Sequence, residues 1–152
     1  MAFCKRLNIY NKNKEHYEDL ARKTGVPPQV IAAIHYRESG CDFNTYLYNG
    51  DKLGIPTKNH PKGIIFYDFD TAALDALEKK EYARKHYNMT ATTTDIAAMM
   101  SYLEEYNGLG YYNNGNISSY VYSGTNVYTG GKYTSDHHYD RNARDKQLVC
   151  IF

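Results

Sequence analysis

The chain has 152 residues, of which 42% are hydrophobic and 23% charged, a composition typical of a globular domain rather than a disordered segment. With 18 basic and 17 acidic residues its net charge is +1, which gives no electrostatic basis for nucleic-acid binding. The length suits one domain over residues 1–152, and no run of about 18 apolar residues predicts a membrane span.

The first half of the chain predicts two helices followed by a turn-rich segment. Apolar residues recur at helical spacing over residues 13–24, and a second helix begins near Pro27 and ends at Gly40. Residues 41–68 contain too many glycines and prolines for a long helix. They predict short strands or a small hairpin, with Asn49-Gly50 as a type I′ turn.

Two more helices are predicted in the second half. Asp70, with Asp68 as a weaker alternative, is expected to cap a helix over residues 71–88. Thr93 or Thr94 is expected to cap the next helix, which has apolar residues at helical spacing and runs up to a glycine.

Beyond the glycine at position 108 the regular patterns fade. Residues 109–134 are rich in Gly, Asn, Ser and Tyr and predict mostly irregular structure. A short helix is expected over residues 142–148. The sequence contains neither an internal repeat nor an interdomain linker.

Glu38 is the leading candidate for chemistry. Helical steps of three and four lead from Ile31 through Ile34 to Glu38, which places this carboxyl on the buried side of the last turn. Loss of hydration there raises the pKa of a carboxyl, so that it keeps a proton near neutral pH, as a general acid requires. The alternative is a structural ion pair with a neighbouring basic side chain.

A second carboxylate follows in the turn-rich segment. Asp51 can stay ionised and stabilise an oxocarbenium-like centre or orient a water, as in glycoside hydrolysis; the alternative is a turn aspartate bonded to its own backbone. The Thr57 hydroxyl can help hold that water, and His60 is expected to lie near the site as a structural partner. Glu104 and Glu105 compete with Asp51 but are expected on a solvated helix face.

Tyrosine is abundant, with 17 Tyr, five Phe and no Trp in the chain. Many tyrosines fall between Tyr102 and Tyr139. Phenol rings stack on sugars while their hydroxyls form hydrogen bonds; the alternative is a half-buried layer in which Tyr replaces Trp and Phe. Residues 102–112 and 118–133 are candidates for one wall of a binding groove.

The sequence gives no indication of a cofactor. Cys4, Cys41 and Cys150 have no regular spacing, so we expect free thiols, while a bond between Cys4 and Cys150 stays open. His137 and His138 lie near two aspartates, but their spacing matches no well-formed metal site. We therefore expect neither a metal ion nor another cofactor.

Three short motifs together resemble the lysozyme superfamily, which includes phage-type and goose-type lysozymes and lytic transglycosylases. Glu38-Ser39-Gly40 is similar to the catalytic motif of the transglycosylase branch, and Tyr106-Asn107-Gly108 to its Tyr-Asn-Ala-Gly motif, without the Ala. Asp51 followed by Thr57 resembles the acid and hydroxyl of the phage-type triad. The Gly-Leu-Met-Gln motif of the transglycosylases is absent, and the tail resembles phage-encoded peptidoglycan hydrolases.

This resemblance implies an α+β, mainly α-helical fold, with a small β-region next to Glu38 and a cleft between two lobes. It also implies a peptidoglycan hydrolase that cleaves the β-1,4 bond between N-acetylmuramic acid and N-acetylglucosamine. Glu38 would act as general acid, with Asp51 and Thr57 placing a water. The implied substrate-binding residues are Ser39, His60, Tyr106, Asn107 and Tyr111.

Several alternatives remain open. Glu38 can act as both acid and base in a lytic transglycosylase, which releases 1,6-anhydromuramyl products, and a chitinase is the nearest enzymatic neighbour. The tyrosines can instead belong to a non-catalytic glycan-binding module, or the chain can be a plain interaction protein. We expect a monomer made in the cytoplasm without a signal peptide, which reaches the bacterial cell wall through phage release or a secretion system.

Overall fold

The computed structural model describes the backbone of residues 2–147 and the side chains of residues 7–147. The chain is 46% helical and carries a small two-stranded antiparallel sheet, which is compatible with the α+β class. No helix among the described residues is both long and apolar enough to cross a membrane. The helices are α1 (Ala2–Lys12), α2 (Lys14–Thr24), α3 (Pro28–Ser39), α4 (Phe69–Glu78), α5 (Glu81–His86), α6 (Ile96–Asn107), α7 (Gly110–Asn113) and α8 (Ser119–Tyr122), and the strands are β1 (Lys132–Ser135) and β2 (His138–Asp140).

Helix α3 forms the centre of the hydrophobic core. All of residues 30–35 are buried in it, and it packs against α2 on one side and α6 on another. Val30, Ile31 and Ile34 have no solvent exposure, and burial of each such side chain stabilises the fold by about 1.5–3 kcal/mol. The last turn of α3 leaves this core, which places Glu38 at the boundary between apolar interior and surface.

The predicted boundaries of α2 and α3 are confirmed. Helix α2 ends at Thr24 before Gly25, whose φ of 75° lies in the left-handed region and whose N–H bonds to the Ala21 carbonyl. Helix α3 begins at Pro28, and Gly40 ends it with a φ of 67°. Glycine adopts this conformation without steric cost, which explains why both helices end where they do.

The predicted cap of α4 is wrong. Asp68 caps this helix, because its extended backbone lets its carboxylate accept a hydrogen bond of 2.8 Å from the Thr71 N–H. Asp70 lies inside the first turn and instead contacts His16 at 2.9 Å. The helix also ends at Glu78 rather than continuing to residue 88, and α5 follows after a short break.

The cap of α6 also differs from the prediction. Asp95 accepts hydrogen bonds from the N–H groups of Ala97 and Ala98, whereas the Thr93 hydroxyl accepts one from the Thr90 N–H in the preceding turn. Asp95 directly precedes the first residue of α6, so its carboxylate reaches the free N–H groups of the first turn, which the threonines before it do not contact. The predicted end of this helix at Gly108 is confirmed.

The turn-rich segment forms a minimal hairpin. Thr45 and Lys52 make an isolated antiparallel bridge, and the Tyr46 N–H donates to the Asp51 carbonyl. The connection is not a type I′ turn, because Gly50 has a positive φ but Asn49 does not. The Asn49 side chain instead accepts a hydrogen bond from the Asp51 N–H, which braces a longer loop.

The regular strands lie near the end of the chain rather than in the segment that follows Glu38. Strands β1 and β2 pair in an antiparallel sheet with an irregular register between Tyr133 and Ser135. The short helices α7 and α8 lie in the segment predicted to be irregular, whereas residues 142–147 form no helix. The Cys41 thiol is free; Leu148 and the question of a Cys4–Cys150 bond lie outside the described residues.

Candidate functional site

The Glu38 carboxyl is held by a tyrosine from a distant part of the chain. Its Oε1 accepts a hydrogen bond of 2.8 Å from the Tyr120 hydroxyl. Burial raises the pKa of Glu38 to about 7, and the Tyr120 hydrogen bond and the Arg37 charge oppose this rise only in part. This carboxyl therefore holds its proton to a much higher pH than an ordinary glutamate does.

Arg37 does not form an ion pair with Glu38. Its guanidinium pairs with Asp145 at 2.5 Å, and the two side chains are only 7% and 12% exposed. The same guanidinium lies 5.0 Å from the centre of the Tyr120 ring and donates to the Gln147 carbonyl. Among the described residues Glu38 has no ion-pair partner, which contradicts the alternative of a structural salt bridge.

Glu38 lines a cavity of about 570 Å³. Three further residues predicted for the site, His60, Tyr106 and Asn107, line the same cavity. The Tyr106 ring is fixed there, because its hydroxyl donates a hydrogen bond of 2.9 Å to the Leu47 carbonyl. The remaining lining residues are Tyr48, Asn49, Pro61, Ala76, Lys79, Lys80 and Gly108.

A second cavity, of about 650 Å³, adjoins the first. The two share Asn107 and Gly108, and Tyr111, which the resemblance placed in the site, lines the second. The Tyr111 hydroxyl contacts the Ser119 hydroxyl at 2.9 Å and accepts a hydrogen bond from the Tyr133 N–H, so it also holds the surrounding loops together. The end of α6 thus forms a wall that the two cavities share.

Asp51 lines neither of these cavities. Its carboxylate accepts hydrogen bonds of 2.7–2.9 Å from the backbone N–H groups of Lys58 and Asn59 and from the Asn59 side-chain amide. Burial acts to raise the pKa of Asp51, but these hydrogen bonds outweigh it and hold the pKa below its ordinary value. Asp51 is thus ionised at neutral pH and occupied with its own loop.

Thr57 and Ser39 also line neither cavity. The Thr57 hydroxyl donates to the Pro61 carbonyl and accepts from the Ile64 N–H, which closes the loop between them. The Ser39 hydroxyl contacts the His35 carbonyl at 3.3 Å and accepts from the backbone after α3. Both hydroxyls are therefore used in local structure.

One predicted surface carboxylate is buried. Glu105 is only 9% exposed, contrary to the expectation of a solvated helix face, and its carboxylate lies 3.8 Å from His86 Nδ1. Desolvation raises the pKa of the neighbouring Glu104. Neither side chain lines the cavity that contains Glu38, so neither competes for the role of acid there.

The sequence reasoning missed two parts of the site. Tyr120 lies 82 residues from Glu38, and its place in a tyrosine-rich run gave no signal of their hydrogen bond. Gly50 lies against the end of α3, where an added Cβ would be 2.2 Å from the Glu38 carbonyl oxygen. The Asn-Gly pair signals a turn but not this close approach of two backbones.

The described residues contain no group of three or more His, Cys, Asp or Glu side chains placed to hold a metal ion. The arrangement instead offers one partly buried carboxyl, Glu38, in a cavity also lined by aromatic, amide and basic side chains, while Asp136 and Asp145 line the adjoining cavity. Comparisons with known protein families, with curated proteins and with solved structures find no match for this chain.

Proposed function

We propose that this protein cleaves the β-1,4 bond between N-acetylmuramic acid and N-acetylglucosamine in peptidoglycan, with Glu38 as the general acid. The observation that carries the proposal is Glu38 itself, a carboxyl with a pKa of about 7 and no ion pair, on the wall of a cavity. The Asn107 amide in that cavity supplies a hydrogen-bonding group for a saccharide, and the rings of Tyr48 and Tyr106 form part of its aromatic wall.

The first step is proton transfer to the glycosidic oxygen. The Tyr120 hydroxyl donates to Oε1 of Glu38, so we assign the proton to Oε2 in this step. As the bond between C1 and this oxygen breaks, the leaving sugar keeps the bonding electrons and the proton, and C1 becomes oxocarbenium-like. The Tyr120 hydroxyl then stabilises the new Glu38 carboxylate, because it donates to the charged form.

The second step favours an intramolecular nucleophile. Among the described residues Glu38 is the only carboxyl that lines its cavity, whereas Asp51 and Thr57 are bonded to their own loops. The Glu38 carboxylate can take the proton of the muramyl 6-hydroxyl while that oxygen attacks C1. This returns Glu38 to its protonated form and yields a 1,6-anhydro product, as in a lytic transglycosylase. Hydrolysis requires Glu38 to activate a water, or Asp51 to leave its loop.

Digestion of purified peptidoglycan sacculi tests the proposal, with the products identified by mass spectrometry. We expect the wild-type protein to release muropeptides and Glu38→Gln to release none. Glu104→Gln is the matched control, because it neutralises another carboxyl of raised pKa outside the cavity and should leave the products unchanged. Products one water lighter than reducing muropeptides support the transglycosylase route; reducing products support hydrolysis.

Absence of products from the wild-type protein would refute the enzymatic proposal. A pull-down on the same sacculi then tests the second candidate, a non-catalytic glycan-binding module, which the tyrosine-lined second cavity favours. Retention of both wild type and Glu38→Gln without cleavage would support that module. Absence of retention would leave a protein without affinity for this glycan.

A further inference from the structure

The cavity that contains Glu38 also contains two lysines in different states. The Lys79 ammonium is neutralised within the protein, since it donates at 2.7 Å to Asp75 and at 2.8 Å to the Tyr48 hydroxyl. The Lys80 ammonium has no ion pair among the described residues and lies 5.9 Å from the centre of the Tyr106 ring. One positive charge therefore faces the cavity without a carboxylate partner.

The position of Lys80 is fixed by its backbone. It lies between α4 and α5, where its N–H donates to the Leu77 carbonyl and its own carbonyl accepts from Ala83 and Arg84. Its side chain is partly buried against Tyr106. Its ammonium lies near the rings of Tyr106 and Tyr82, at 5.9 and 6.0 Å from their centres, and such a partly desolvated cation favours a nearby anion because charge-assisted hydrogen bonds are stronger than neutral ones.

We propose that this cavity selects glycans that carry a carboxylate, which binds Lys80 while the sugar rings lie along Tyr106. The inference rests on the proposed function and names its substrate class. Peptidoglycan offers such a carboxylate from two sources, the lactyl group of muramic acid once its peptide is removed, or the stem peptide itself. Chitin, with only neutral N-acetylglucosamine units, offers none.

Binding to the Glu38→Gln protein tests the inference, because this variant should hold saccharides without cleaving them. Isothermal titration calorimetry is performed with three tetrasaccharides: chitotetraose, a peptidoglycan tetrasaccharide stripped of its peptides, and the same tetrasaccharide with its stem peptides. We expect at least one anionic ligand to bind more tightly than chitotetraose, and Lys80→Gln to raise its Kd about fivefold, the effect of one exposed ion pair. If Lys80→Gln weakens binding of the stripped tetrasaccharide, the carboxylate is the lactyl group. If it weakens binding of the tetrasaccharide with stem peptides, the carboxylate belongs to the peptide.

Lys85→Gln is the matched control. Lys85 is exposed on α5, lines no part of the Glu38 cavity and carries the same charge, so its loss should leave all three Kd values unchanged. Sodium chloride should weaken the preference for the anionic ligand, because screening reduces the attraction between exposed charges. An equal loss of affinity in Lys85→Gln would overturn the inference, since it would indicate general attraction rather than a site at Lys80.

The inference and the proposed function fail in different ways. Equal Kd values for chitotetraose and both anionic ligands, in a protein that still cleaves sacculi, would overturn the inference alone. An unchanged Kd for the preferred anionic ligand in Lys80→Gln would do the same. Absence of both binding and cleavage would refute the proposed function, and the inference with it.

Discussion

The raised pKa of Glu38 predicts that this residue lowers the stability of the protein above neutral pH. The pKa is about 7 in the folded protein against an ordinary value of 4.5, so folding takes up a proton between these two pH values. Protonated Glu38 therefore makes its full contribution to the free energy of unfolding below pH 4.5. This contribution decreases between pH 4.5 and pH 7 and is lost above about pH 7. Because each pKa unit corresponds to about 1.4 kcal/mol, the total is about 3 kcal/mol.

Glu38→Gln isolates this effect. The Gln amide stays neutral at all pH values, and its oxygen can still accept the hydrogen bond from Tyr120. We expect the free energy of unfolding of Glu38→Gln, relative to the wild type, to rise by about 3 kcal/mol between pH 4 and pH 8. Urea unfolding at a series of pH values measures this difference, and other titrating groups cancel because both proteins contain them.

Asp51→Asn provides a control of opposite sign. The pKa of Asp51 is lowered in the folded protein, so its carboxylate stabilises the fold above its ordinary pKa and loses this effect as the pH falls. We therefore expect Asp51→Asn to become less stable relative to the wild type as the pH rises. A difference between Glu38→Gln and wild type that does not change with pH would refute the assignment of Glu38 as a desolvated acid.

Four other substitutions test the contacts around the site and the cap of α4. Tyr120→Phe should raise the pKa of Glu38 by about one unit, because it removes a donor to the charged form; carbon-13 NMR titration of the carboxyl would show it, and an unchanged or lower pKa would contradict it. Gly50→Ala should lower the free energy of unfolding by about 2 kcal/mol or more, since a Cβ at this positive φ meets the Glu38 carbonyl. Asp68→Ala should cost about 1 kcal/mol and Asp70→Ala less, as measured by urea unfolding; the reverse order would contradict the cap at Asp68.

The features that the sequence predicted are those that depend on neighbouring residues. The apolar spacing of α3 and the left-handed conformation at Gly40 are local properties, and they placed Glu38 at the end of a buried helix. A small hairpin after α3 was likewise predicted from its turn residues, although the bridge between Thr45 and Lys52 encloses a longer loop than the type I′ turn expected at Asn49-Gly50. Features of this kind are set by residues that lie close together in the sequence, so the sequence pattern alone predicts them.

The features that were missed depend on residues far apart in the sequence. Neither the bond from Tyr120 to Glu38 nor the pairing of Arg37 with Asp145 has a local signal, because each joins α3 to a segment more than 80 residues away. The short strands near Tyr133 and Tyr139 were hidden for a related reason. These strands have only four and three residues, so they show no clear alternation of apolar and polar side chains, and the glycines and asparagines around them predict turns instead.

Asp145 forms an ion pair with Arg37, the residue next to Glu38. Arg37 precedes Glu38 on the same helix, and a positive charge so close to a carboxyl favours its ionised form. Pairing with Asp145 neutralises that charge and ties the tail of the described chain to α3, next to Tyr120. Apolar burial at the end of α3 is therefore the main cause of the raised pKa of Glu38, and the Arg37 charge opposes it only in part.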